Sequence, residues 1–143
     1  MNITVFLADY AQGSPGTKID AMGLFWSRTK SPLRYHSVII AVETDGDENL
    51  PQNIHLDIKL VDDSGEVVKD GSGQAVQATA ELGGPGESNS PVPGIAPVVL
   101  GISQGLDLMP GVYRWQVTSP EISGNPWSRS FVVIESSEEV TES

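Results

Sequence analysis

The sequence predicts an all-β sandwich of about eight or nine short strands. Three observations carry that expectation. Apolar residues recur with period two, most clearly at Ile54, Leu56, Ile58 and Leu60 against His55, Asp57 and Lys59. Clusters of Gly, Pro, Asn, Asp and Ser punctuate these runs, and no segment shows helical periodicity over three turns. Late in the chain, Pro110-Gly111-Val112-Tyr113 makes a tight turn that runs straight into an alternating strand, with Tyr113, Trp115 and Val117 on one face.

The elements follow in order. Residues 3–8 are apolar everywhere but Thr4, which predicts a strand covered on both faces. A loop over 12–17 leads to a second strand over 18–26, with Ile19, Ala21, Gly23 and Phe25 on one side. Ser31-Pro32 breaks the pattern before a strongly apolar strand at 35–43. A polar, acidic loop at 44–52 precedes the amphipathic strand 54–61. Asp63-Ser64-Gly65-Glu66 and Asp70-Gly71-Ser72-Gly73 are turns on either side of a short strand at Val67-Val68. Residues 74–82 fit a strand or a short helix, and strand is preferred because their neighbours are all β. The Gly/Pro/Ser-rich stretch 83–94 is expected to be a long exposed loop, since too little chain follows it for a second domain. Strands at 97–103, 112–119 and 127–134 complete one domain over 1–135, and the acidic residues 136–143 read as a flexible tail.

Composition narrows the function classes. The chain has no Cys, which excludes disulfides and thiol chemistry. No run approaches the roughly 18 apolar residues of a membrane span, and no secretory signal is visible at the N-terminus. A net charge of −11 disfavours nucleic acid and anionic membranes as partners. The basic residues Lys18, Arg28, Lys30 and Arg34 fall in one early segment, whereas acids gather at 45–48, at 62–70 and in the tail.

Motifs for catalysis fail on context. Gly101-Ile102-Ser103-Gln104-Gly105 matches a nucleophile elbow, but that turn needs a following helix, and Pro110-Gly111 comes too soon for one. Two His and no Cys do not make a zinc site; His55 falls on the polar phase of its strand, and His36 adjoins Tyr35 at a strand start. Asp45-Gly46-Asp47-Glu48-Asn49 begins like a calcium loop, yet Leu50 and Leu56 stand where Gly and Glu are required. An irregular site shared with Asp62 or Asp63 stays open. No enzyme and no cofactor are expected. Tyr10, Trp26 and Trp127 lie at strand ends or in loops, where aromatics serve as core caps, as a sugar platform or as a protein hot spot. Together with Arg28, Lys30 and Arg34 they are the candidate partner-binding residues, while Pro110, Gly111, Tyr113 and Trp115 form the structural corner.

The Pro110–Tyr113 turn resembles the tyrosine corner of immunoglobulin-like sandwiches, which implies Greek-key connections. Ala8-Asp9-Tyr10-Ala11, Lys18-Ile19-Asp20-Ala21-Met22-Gly23 with Trp26-Ser27, Asp62-Asp63-Ser64-Gly65 and Pro110-Gly111-Val112-Tyr113 occur in the order seen in a family of small uncharacterised bacterial and actinobacteriophage proteins, and the chain resembles that family over residues 3–134. The resemblance implies a fold and no activity. The expectation is a non-enzymatic structural or protein-interaction module, cytoplasmic as synthesised or in a virion, with capsid decoration as the specific form. A capsid or other virion protein is the expected partner, and a homo-oligomer is compatible with it. The alternatives are a carbohydrate-binding module using the loop aromatics and a cytoplasmic bacterial accessory protein.

Overall fold

Alternation along the central strand sets the architecture. Ile54, Leu56, Ile58 and Leu60 are fully buried, while His55 and Asp57 between them are exposed. Burying each such side chain stabilises the fold by about 1.5–3 kcal/mol. The computed structural model describes residues 2–13, 18–31, 33, 35–43, 53–83, 95–103 and 105–135. Among them the regular elements are ten strands: β1 (Asn2–Ala8), β2 (Tyr10–Gln12), β3 (Asp20–Met22), β4 (Arg28–Lys30), β5 (His36–Glu43), β6 (Asn53–Asp62), β7 (Gln77–Gly83), β8 (Ile95–Ile102), β9 (Gly111–Thr118) and β10 (Trp127–Ile134). None of the described residues forms a helix long and apolar enough to cross a membrane.

Three strands pair in the order β1-β5-β8 and five in the order β4-β10-β9-β6-β7. The two sheets share one core. Ile3, Val5, Leu7, Val38, Ile40, Val42 and Val98 enter it from the smaller sheet, and the β6 residues, Trp115, Val117, Phe131 and Val133 from the larger. The hairpin β2-β3 forms a third layer. It lays Ala11 against Ala8 and Ile39 on the outer face of the three-stranded sheet, with Phe6, Ile19, Ala21 and Val99 around them. The Ser37 hydroxyl on β5 accepts the Ala11 N–H at 3.1 Å. This third layer is why β1 and β5 read as nearly continuous apolar runs: both of their faces are covered.

The predicted strand over 18–26 does not form as one element. It stops at Met22, turns through Gly23, Leu24 and Phe25, and resumes only at Arg28. Gly23 (φ +64°) and Phe25 (φ +69°) both lie in the left-handed region, which no strand tolerates. The resumed segment, β4, pairs parallel with β10, Arg28 opposite Val132 and Lys30 opposite Ile134. Val67-Val68 does not form a strand, Val67 making only an isolated bridge to Val61, and Gly83 belongs to β7 rather than to the following loop. The strand predicted over 74–82 runs from Gln77 to Gly83. The loop 84–94, the tail 136–143, Arg34, Asp45 and Asp47 lie outside the described residues.

Turn chemistry repeats after β6. The Asp62 carboxylate accepts from the Ser64 N–H (2.9 Å), the Ser64 hydroxyl (2.7 Å) and the Glu66 N–H (3.0 Å). Asp70 does the same with Ser72 (2.9 and 2.7 Å) and the Gln74 N–H (3.0 Å). The Ser64 and Ser72 hydroxyls are the leading cause that holds the Asp62 and Asp70 carboxyls below their usual range.

Candidate functional site

The turn 22–27 begins where Asp9 ends β1. The Asp9 N–H donates to the carbonyls of Met22 (3.0 Å) and Gly23 (3.2 Å), and the Phe25 N–H donates to Leu7 at 2.8 Å. A side chain at position 23 would collide with the Asp9 carboxyl, so only glycine fits there. These bonds fix Phe25 in a conformation that costs a bulky residue about 1–2 kcal/mol. Phe25 is nevertheless 71% exposed, its ring meeting Phe6 edge-on at 5.3 Å between centroids. Met22 (70% exposed) and Leu24 (42%) flank it.

Beside Phe25 opens a cavity of about 250 Å³, lined by Phe6, Leu7, Phe25, Trp26, Ser27 and Arg129. Arg129 reaches it from β10. Its Nε donates to the Val5 carbonyl at 2.7 Å, and its guanidinium carbon sits 5.9 Å from the centre of the Phe6 ring. β1 is the edge of its sheet, so two of its outward carbonyls, Val5 and Leu7, are taken by Arg129 and by the Phe25 N–H. Trp26 is half-buried. It packs edge-on against His36 and against Phe131, each at 5.7 Å, and its buried indole N–H has no partner among the described residues.

The candidate residues from the sequence scatter over this frame. Trp26 lines the cavity, and the exposed Arg28 and Lys30 follow it on β4. Tyr10 is exposed on β2, opposite Met22 in the hairpin register, and its ring stacks on Tyr35 at 5.9 Å. Trp127 is half-buried at the start of β10, packed against the core. Four residue steps along the strand, about 13 Å, separate it from Phe131, against which Trp26 packs. The residues that sequence reasoning missed are Phe6, Met22, Leu24, Phe25 and Arg129. One signal existed: Arg129 is a cation on the inward phase of Trp127, Phe131 and Val133.

No family model matches this chain, nor does any curated protein or solved structure.

At the corner, the Tyr113 hydroxyl donates to the Met109 carbonyl at 2.7 Å across Pro110-Gly111, and burial, then Asp62, pushes its phenol above the usual range. Two residues on, Trp115 lies wholly inside the core. At the other end of the larger sheet, His55 is exposed and bonded on both sides. Glu121 takes the His55 N–H at 2.7 Å and its Nδ1 at 2.9 Å, while Glu81 stands 3.6 Å from Nε2. The hydrogen bond to Glu121 is the main reason that the His55 imidazole titrates above its ordinary range. Asp62 is spent on its own turn, and no group of three or more His, Cys, Asp or Glu among the described residues is arranged to hold a metal ion.

Proposed function

We propose that this chain is a non-enzymatic, immunoglobulin-like interaction module that docks a protein partner through the Met22–Trp26 turn. The observation that supports it is Phe25. A bulky residue is held in left-handed backbone, at a cost to stability, and is left largely exposed. The contact with Phe6 covers only part of so large an apolar residue, and its exposure supports a contact surface. Met22, Leu24, Tyr10 and Tyr35 extend the apolar area around it, the composition expected at the centre of a protein interface.

The immunoglobulin-like reading draws on strand order. With β1, β5 and β8 taken as strands A, B and E, and β6, β7, β9 and β10 as C, C′, F and G, the pairing order supports that reading, with no strand D among the described residues. Tyr113 then takes the corner position on strand F, and Trp115, two residues later, stands where antibody domains carry the second cysteine of their inter-sheet bridge. The resemblance to actinobacteriophage proteins supports capsid decoration as the setting.

Two measurements test the reading. Mass spectrometry of purified particles should find the protein, and its absence from them sinks the virion setting. Particles lacking the protein should co-sediment with wild type and lose Phe25→Asn, which keeps the backbone conformation but removes the ring. Equal binding by both proteins removes the turn from the interface.

A further inference from the structure

We propose that the cavity beside Phe25 receives a carboxylate of the docking partner, an acidic side chain flanked by apolar residues. The inference rests on the reading of the Met22–Trp26 turn as the docking surface and names the chemistry that the surface selects. Size comes first. At about 250 Å³ the cavity is smaller than the roughly 300–1,000 Å³ sites that enclose a whole small ligand, which is the scale of a single side chain.

Charge comes second. Arg129 is the one charged residue among the six that line the cavity. Its Nε is held by Val5, so the guanidinium is anchored from behind, and its two terminal nitrogens have no partner among the described residues. A guanidinium fixed in this way meets a carboxylate with two parallel hydrogen bonds and loses little side-chain freedom on doing so. Phe6, Leu7, Phe25 and Trp26 give the cavity apolar walls, and Arg129 is itself exposed, so a carboxylate reaches it from solvent. Ser27 completes the lining.

The surroundings agree. The chain carries a net charge of −11, yet the two charged residues that follow the cavity on β4, Arg28 and Lys30, are both basic and exposed. Asp9 abuts Gly23 and does not line the cavity. An acidic partner is therefore drawn to this edge and repelled by much of the rest of the molecule. Phe25, Leu24 and Met22 then cover the apolar residues next to the bound carboxylate.

The test titrates the protein with acetyl-Leu-Glu-Leu-amide and with its Gln counterpart, following the Trp26 indole N–H and the Arg129 Nε–H by NMR. The Glu peptide should shift both signals and bind at least about tenfold more tightly than the Gln peptide, as expected for a charge-assisted hydrogen bond. Arg129→Gln should bring the two peptides within about twofold of each other. Because that variant also loses the bond to Val5, Arg129→Lys is run beside it: it keeps the charge without the fork, and should retain the preference for Glu at lower affinity. Equal binding of the two peptides by wild type overturns the carboxylate assignment but leaves the docking surface standing. No shift of either signal, while Phe25-dependent capsid binding persists, overturns the cavity as the receptor. Loss of all capsid binding, with the Glu preference intact, separates failure of the docking reading from this one. Self-association of the protein that the Glu peptide blocks overturns a separate partner in favour of a second copy.

Discussion

Trp115 donates its indole N–H to Nε2 of His36 at 3.1 Å, inside the core, joining β9 of one sheet to β5 of the other. An indole N–H only donates, so Nε2 presents its lone pair and the proton of the neutral ring sits on Nδ1. Both residues are almost entirely removed from water, and the Trp26 ring packs edge-on against His36.

His36→Leu should therefore leave a buried donor unpaired and lower stability by about 1–3 kcal/mol in urea unfolding. His36→Gln offers an acceptor and should recover part of that loss. A Leu variant as stable as wild type would remove this hydrogen bond from the forces joining the sheets.

Tyr113→Phe removes the hydroxyl bond to Met109 while keeping the ring, which stacks on Phe131 at 6.0 Å. The expected loss is about 0.5–1.5 kcal/mol, because the hydroxyl is partly exposed and its lost partner can turn to water. The pH profile carries a second signature. The native phenol titrates above its ordinary value of 10.0, so its contribution is complete below that pH and fades as pH rises through the native value. Thermal melts of the two proteins should converge in strongly alkaline buffer.

His55 and Glu121 set opposite limits on one contact. The His55 value is raised above 6.5, so the contact contributes fully below that pH and is lost as pH rises through the native value. The Glu121 value is lowered below 4.5, chiefly by the His55 N–H, so its share is present above that pH and is lost as pH falls through the native value. The pair stabilises most between these two ordinary values. His55→Ala should flatten the dependence of melting temperature on pH above about 6.5, with a small amplitude because the pair is exposed. An unchanged slope means that the two groups do not titrate together.

Gly71 and Gly73 share one turn, and neither has any atom within 4 Å of where a side chain would begin. Only Gly73 has positive φ, +86°. Gly71→Ala should be neutral or stabilising by up to about 1 kcal/mol, and Gly73→Ala should cost about 1–2 kcal/mol. Chemical denaturation of the two variants isolates backbone handedness from packing. Equal effects would mean that it plays no part here.

Much of the scaffold was legible because period two and turn residues are local signals. The sequence limits for β10 match the structure, and those for β6 differ by a single residue at each end. The 18–26 segment misled for a physical reason. Ile19 and Ala21 alternate as a strand would, but side-chain periodicity says nothing of main-chain handedness, and Phe25 is among the residues least suited to the conformation it adopts. The cavity was illegible for another reason. It gathers Phe6, the 25–27 turn and Arg129, brought together by packing between β1 and β10 that no local pattern encodes. His36 and Trp115, 79 residues apart, are hidden in the same way.

That last pair ties the two sheets without sulfur chemistry. Where a covalent bridge would need an oxidant to close, these sheets are tied by a bond that forms as soon as they meet. With no sulfhydryl in the chain, reductant leaves the unfolding midpoint unmoved, and refolding from denaturant needs neither a redox buffer nor an isomerase for disulfides.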